Sequence, residues 1–482
     1  MARAKAWKQG APGAPSFADD FEIVQKAVLQ KTDLTANNNK YYAIELHKAG
    51  HDYRVFTHYG RTDDLETNPN AGMRESRFFT GDPVGAERCY KSIFKKKTAP
   101  SKGYQEVNLA SSKIGSHKAR GTSSGHVDAA TLSRMEGDPK KKKKKKTGPK
   151  PSSLPPGVQD LVRYIYDEAT NALTTTVSAK ITANGIETPL GVLTLGQIQR
   201  GESILSELWQ IHEAKGSEWK KADDMARLSG EFYSVIPHRI GRTRAAAARA
   251  VIDTHAEFEA KQETLQLMKD MLHVNGDGAE NILYDSQVDQ KYKALGCEIG
   301  WLEPGSARFR ELEDQVLSSQ VKHKKVRVKR FYTLRRPSEF DAYDTRVGNE
   351  KLLFHGSRIK NWVGILSRGI LLPKIVVSMG VNRTDAGWLG HGIYFGNAAC
   401  TSGFYTTPGR KQTRLMALTR VALGKVKPYR KITYGLDAPP AGFDSCHGQR
   451  RKGGFASQFD DDEFVVYRTE QQHLEILCEF TL

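Results

Sequence analysis

The sequence predicts a multidomain α+β protein: a small β-rich domain, a helical bundle and a larger, mostly antiparallel β domain. Three observations carry this. Tyr41–Leu46 and Tyr53–Tyr59 are dense in aromatic and β-branched residues and are bounded by turn formers, Asn37-Asn38-Asn39 and Ala49-Gly50-His51. Val158, Leu161, Val162 and Ile165 repeat at i, i+3, i+4, i+7, one apolar helix face. Val326–Tyr332 and Leu474–Phe480 alternate as half-buried strands do. A length of 482 residues accommodates roughly two to four domains.

Taken in order, residues 1–20 are rich in Ala, Gly, Pro and Lys and are expected to be disordered. Residues 21–117 form the first α+β domain, with a short helix over Ala86–Phe94 that ends in Lys95-Lys96-Lys97. Residues 118–155 read as a basic linker, because Lys140–Lys146 repel one another and prolines follow. Residues 156–279 are helical: Gln197-Ile198 through Leu208 keep the helical spacing, and Arg242–Phe258 is an alanine-rich helix former. From 280 to 482 short strands and glycines take over, with Phe464–Tyr467 joined to the last strand by a polar turn.

Composition excludes several classes. No apolar run approaches the ~20 residues of a membrane helix, and Met1–Ser16 has no apolar segment of the secretory type. Five cysteines without a C-x-x-C pair argue against a zinc finger or a disulfide framework. The net charge is +18, and the chain stays basic without its lysine run, which points to a polyanion partner such as nucleic acid.

Three pieces near the C-terminal end carry candidate chemistry. In Leu353-Phe354-His355-Gly356-Ser357-Arg358 an apolar strand ends in a hydrogen-bonding imidazole and a glycine that allows close backbone approach. In Gly390–Gly396 and Thr401–Tyr405 glycines, aromatics and hydroxyls alternate, so that a flat ring could stack there. In Asp460–Tyr467 four acids lead into a strand, and Glu463 at its edge could handle a proton or a cationic centre. No His/Asp/Glu spacing predicts a metal site, and no G-x-G-x-x-G marks a dinucleotide fold.

In order and spacing, His355-Gly356-Ser357-Arg358, Gly392-Ile393-Tyr394-Phe395 and Glu463–Tyr467 resemble the catalytic domain of the poly(ADP-ribose) polymerase family. Asn361–Gly369, Val421–Lys425 and Ala438–Ser445 resemble its vault-associated branch. Asn37–Tyr42 and Tyr59-Gly60-Arg61 resemble the WGR domain, with Tyr59 in place of the family's Trp. Pro189–Ile198 and Glu231–His238 resemble its helical regulatory domain.

The resemblance implies an enzyme that transfers ADP-ribose from NAD+ to proteins, itself included, and releases nicotinamide. It implies no metal cofactor and no membrane. It implies DNA strand breaks as activator, a role in the DNA damage response, residence in the nucleus, and room for an activating protein factor. His355 would bond the adenine-side ribose, Gly356 and Ser402 would hold the carboxamide end, and Ser357 would also belong to the NAD+ site. Tyr394 and Tyr405 would sandwich the nicotinamide ring, and Glu463 would bond the nicotinamide ribose. Asn39, Lys40, Tyr59 and Arg61 would contact DNA.

Two positions depart from the DNA-dependent members. Thr401 stands where many have Lys, and Leu371 where many have Arg. The His–Tyr–Glu set favours poly-ADP-ribosylation. The departures keep two alternatives open: a mono-ADP-ribosyltransferase independent of DNA, and a DNA-binding scaffold with an inactive transferase fold.

Overall fold

The computed structural model describes residues 4–122, 152–182, 185–214, 217–274, 288–372, 387–452 and 456–482. The lysine run of the expected linker lies outside them. The chain divides into two compact units, residues 1–145 with 173–284 and residues 146–172 with 285–482.

In the first unit, β1 (Trp7–Lys8), β2 (Glu22–Asp33), β3 (Asn38–Ala49), β4 (Asp52–Arg61), β5 (Met73–Thr80) and β6 (Gln105–Glu106) make an antiparallel sheet in the order β1-β5-β4-β3-β2-β6. Helix α1 (Pro83–Thr98), capped by Asp82 with Pro at its start, covers one face over Leu29, Tyr42, Ile44 and Val55. Two expectations are corrected here. The helix runs beyond Phe94, because the apolar face of Ile93 and Phe94 still packs and Lys95–Lys97 suit a helix C-terminus. The segment expected to be disordered contributes a strand paired to β5, and Phe17 packs beside Phe21 and under the Arg54 guanidinium. Past β7 (Leu109–Ser112) the chain stays tied to the sheet, where buried Glu45 accepts from the main-chain N of Ser116 at 2.8 Å and from its hydroxyl.

The helical part opens with α2 (Pro156–Thr176), most of which belongs to the second unit. A small sheet, β7-β10-β9-β8, follows from β8 (Lys180–Thr182), β9 (Gly185–Glu187) and β10 (Gly191–Leu193). Its strands are too short to show a period in the sequence. Helices α3 (Leu195–Glu213), α4 (Glu218–Val235), α5 (Arg244–Ala248) and α6 (His255–Val274) follow among the described residues of the first unit. The continuous helix expected over Arg242–Phe258 is broken. Ile252 is buried and its N–H goes to Ser229 Oγ at 2.9 Å, and Thr254 with Glu257 forms a capping box that starts α6 afresh.

The second unit contains α7 (Val288–Leu295), α8 (Ala307–Ser318), α9 (Pro337–Ala342) and α10 (Trp362–Arg368). Its nine-stranded sheet has the order β11-β12-β19-β15-β13-β14-β18-β17-β16, antiparallel except for β16 with β17. The strands are β11 (Glu298–Trp301), β12 (Arg327–Arg335), β13 (Glu350–Ser357), β14 (Ile393–Gly396), β15 (Arg414–Ala422), β16 (Val426–Tyr429), β17 (Ser445–Gly448), β18 (Glu463–Val466) and β19 (Gln472–Thr481). The fold class is thus the multidomain α+β one expected. No described helix is long and apolar enough to cross a membrane.

Candidate active site and nucleic-acid interface

Three neighbouring strands bring the predicted catalytic residues together: His355 lies near the end of β13, Tyr394 lies in β14, and Glu463 opens β18. His355 Nδ1 donates to the main-chain carbonyl of Tyr394 at 3.0 Å. Burial pulls the imidazole below its usual range, so the ring is neutral and Nε2 keeps its lone pair. The Tyr394 hydroxyl donates to Gly390 O at 2.7 Å and accepts from Leu389 N at 3.0 Å, which fixes the ring.

Glu463 pairs with Gly396 on β14 and with Gly448 on β17. Burial first, then the neighbouring Asp461 carboxylate, push its carboxyl up to about 7, and Lys322 partly opposes this. Lys322 Nζ lies 2.7 Å from Asp461 Oδ2 and sits over the Phe404 ring. The sequence reading missed Lys322, which arrives from the segment after α8 inside an ordinary basic run.

Helix α11 (Ala399–Gly403) carries Thr401 and Ser402, both buried. Ser402 Oγ donates to Phe354 O at 3.0 Å. A methyl group at Gly356 would lie 1.9 Å from Ser402 O, so only glycine lets β13 run this close to α11. A methyl at Gly396 would sit 3.3 Å from Ser402 Oγ and 3.5 Å from Thr401 Cβ. Gly396 thus keeps the approach between Glu463's partner strand and α11 open. Among the described residues the Thr401 hydroxyl has no hydrogen-bond partner. Ser357 accepts from Asn361 Nδ2 at 3.2 Å, while Tyr405 and Leu371 are exposed. Helix α2 rests on the loop beyond Tyr405: Glu168 accepts from Arg410 N at 2.8 Å, and Thr413 Oγ1 meets the Tyr164 hydroxyl at 3.4 Å.

The four predicted DNA contacts fall on β3 and β4 of the first unit, where Lys40 pairs with Arg61 and Tyr42 with Tyr59. Asp63 ties Asn39 (2.8 Å) to Arg61 (3.1 Å), and Tyr59 stacks on Tyr42 with centroids 5.2 Å apart. Beside them opens a cleft of about 510 Å³ lined by Lys31, Lys40, Arg77, Lys96, Lys97 and Lys102, with Tyr42 and Tyr104 in its wall. Lys97 lies 4.0 Å from the Tyr42 ring centre; burial and then its lysine neighbours lower its affinity for a proton. Clustered cations interleaved with aromatic faces match the needs of a phosphate backbone and its bases. Lys31, Arg77 and Lys102 were not singled out in the sequence, since they converge only when the sheet and α1 assemble. At the end of this surface Arg242 accepts from Asn37 Nδ2 at 2.8 Å through its carbonyl, and its guanidinium reaches Asp64 at 3.1 Å.

Residues 306–456 match the poly(ADP-ribose) polymerase catalytic domain model, residues 152–292 the poly(ADP-ribose) polymerase regulatory domain model, and residues 25–111 the WGR domain model. Human protein mono-ADP-ribosyltransferase PARP4 is 32% identical over 69% of this chain and 18% of its own length. Mouse protein mono-ADP-ribosyltransferase PARP3 is 26% identical over 94% of this chain and 87% of its own length. Human poly [ADP-ribose] polymerase 2 is 27% identical over 83% of this chain and 65% of its own length. The chain therefore spans less than a fifth of PARP4 while matching PARP3 almost end to end. Three domain models in sequence, laid over a sheet that carries His355, Tyr394 and Glu463 on adjacent strands, lead to one assignment: the chain belongs to the poly(ADP-ribose) polymerase family.

Proposed function

We propose that this chain is an NAD+-dependent protein poly-ADP-ribosyltransferase of the nucleus, activated by DNA strand breaks and acting in the response to them. The carrying observation is the His355–Tyr394–Glu463 set on three adjacent strands, with His355 fixed as an acceptor at Nε2. In this reading Nε2 accepts from the adenine-side ribose hydroxyl. Gly356, Ser357 and Ser402 hold the carboxamide, and Tyr394 and Tyr405 flank the nicotinamide.

Glycosidic cleavage leaves positive charge on the ribose carbon, and the bond's electron pair departs with neutral nicotinamide. The Glu463 carboxylate bonds the ribose hydroxyl next to that centre and stabilises it. An acceptor oxygen then adds to the carbon, and its proton passes to Glu463 or to solvent. In elongation the acceptor is a ribose hydroxyl of the growing chain. By comparison with other positioned groups, Glu463 contributes about 2–4 kcal/mol to the transition state.

The lysine-lined cleft, with Asn39, Lys40, Tyr59 and Arg61 next to it, supports DNA as the activator. The bonds from Arg242 to Asn37 and Asp64 join that surface to the helical region. Loosening of that region is the step by which DNA would open access to NAD+, an order–disorder switch. A second reading, mono-ADP-ribosyl transfer, is favoured by Thr401, whose hydroxyl has no partner among the described residues, where many polymerising members carry Lys. Two relatives are also named mono-ADP-ribosyltransferases.

Labelled NAD+ with and without a 5′-phosphorylated nicked duplex, with Glu463→Gln as control, tests both. A ladder or smear that requires DNA and Glu463 supports polymerisation, and a single sharp band supports mono-transfer. Absence of nicotinamide release under every condition overturns the enzyme reading in favour of a scaffold.

A further inference from the structure

At one end of the helical region three metal-ligand side chains converge, none of them given a role above. His212 and Glu213 form the last turn of α3, and His255 is the first residue of α6. One ligand atom from each lies within 4.8 Å of the others. The two imidazoles meet edge to face with centroids 5.5 Å apart, and both pack against the buried Trp209 ring, at 5.4 and 4.8 Å.

Two features set this cluster apart from ordinary aromatic packing. Neither imidazole is hydrogen-bonded to a described residue, and the nearest polar pair, His212 Nε2 to Glu213 Oε1, is 3.9 Å, too long for a hydrogen bond. A fourth candidate ligand is also at hand: Asp253 lies two residues before His255 and acts electrostatically on His212. Two imidazoles and a carboxylate form a donor set suited to a borderline divalent ion, whose metal–ligand bonds near 2.0–2.2 Å would draw the three groups together.

We infer that His212, Glu213 and His255 form a zinc site that pins the end of α3 to the start of α6. Its fourth position is open to water or to Asp253. The site is structural rather than catalytic. It joins residues 213 and 255 across α4 and α5, so that bound metal closes a long loop and holds the helix pair. Residue spacing did not predict this site because its ligands come from distant stretches, and it lies in the other unit from Glu463.

The test uses the full chain without a histidine tag, stripped with chelator and titrated with Co2+ and with Zn2+. The expected result is one equivalent of Co2+ with the visible bands of a four- or five-coordinate ion, displaced by Zn2+. Zinc at about 100-fold its dissociation constant should raise the unfolding midpoint of the helical region by roughly 5–10 °C. His212→Asn and His255→Asn should abolish both signals while keeping the chelated wild-type midpoint. His255→Cys should restore Co2+ binding and add thiolate charge-transfer absorption, which a variant that merely perturbs folding would not do. No saturable binding by the wild-type chain, or binding unchanged in His212→Asn and His255→Asn, overturns the inference.

Discussion

The ring of His355 is fixed by a single bond to the chain it faces: Nδ1–H donates to the carbonyl of Tyr394 across 3.0 Å. Strand β14 therefore sets the tautomer on β13 and leaves Nε2 to accept. His355→Phe keeps a ring there but loses this bond and the acceptor at Nε2. It should lower kcat/KM for NAD+ about ten- to a hundredfold, the cost of roughly 1–3 kcal/mol for an unsatisfied buried partner. Steady-state nicotinamide release measures it, with the loss expressed largely in KM.

On the proposed reading, Glu463 should give the pH profile a rising limb. Its carboxyl is pushed up to about 7, and charge stabilisation needs the carboxylate, so nicotinamide release should climb as pH rises through about 7. The sign for stability is opposite. The folded chain holds this proton more tightly than the unfolded one, so the residue favours folding at acid pH and loses that effect between 4.5 and about 7. Asp461→Asn removes the like charge and should move the limb to lower pH by roughly 0.5–1 unit, while Lys322→Met should move it the other way. A single-turnover pH series on the three proteins reads the order.

Gly356 tolerates no side chain, because an added methyl would stand 1.9 Å from the carbonyl oxygen of Ser402 and 3.2 Å from Thr406. Gly356→Ala should separate β13 from α11, cost about 1–3 kcal/mol of stability and abolish NAD+ binding. Calorimetric binding together with a thermal scan distinguishes the displaced pocket from an unfolded chain.

The lysine-lined surface proposed to meet DNA makes two separable predictions. Lys102→Ala or Lys40→Ala should weaken binding to a nicked duplex whatever its sequence, and should reduce the slope of log affinity against log salt by about 1. Arg242→Ala should leave affinity unchanged but reduce the stimulation of NAD+ turnover by DNA, since Arg242 joins Asn37 and Asp64 to the helical region without lining the cleft. Fluorescence anisotropy across a salt series and turnover on the same duplex separate the two.

What could be read from the sequence follows the range of the physical signal. Periodicity is local, so the long strands β3, β4, β12 and β19 were visible, and so were the glycine-bracketed motifs that end up on β13, β14 and β18. The break at Asp253-Thr254 was hidden because alanine content outweighs a four-residue capping box in any window average. The short strands β7 to β10 offer three or four residues each, fewer than a period needs. The pairing of Lys322 with Asp461 and the meeting of His212 with His255 join distant stretches, and nothing within either stretch announces the partner.

The unit boundary inside α2 has a consequence for how the chain folds. Residues 146–172 belong with residues 285–482, so the second unit is discontinuous in sequence. Tyr166 must wait for Lys291, and Glu168 for Arg410, before their bonds can close. At roughly 5–20 residues per second of synthesis, α2 emerges on the order of ten seconds before its partners exist. During that interval the first unit can complete its own sheet and helices. The nascent helix, meanwhile, carries the apolar face of Val158, Leu161, Val162 and Ile165 uncovered, a sticky surface that must be kept from wrong partners until residues 285–482 are made.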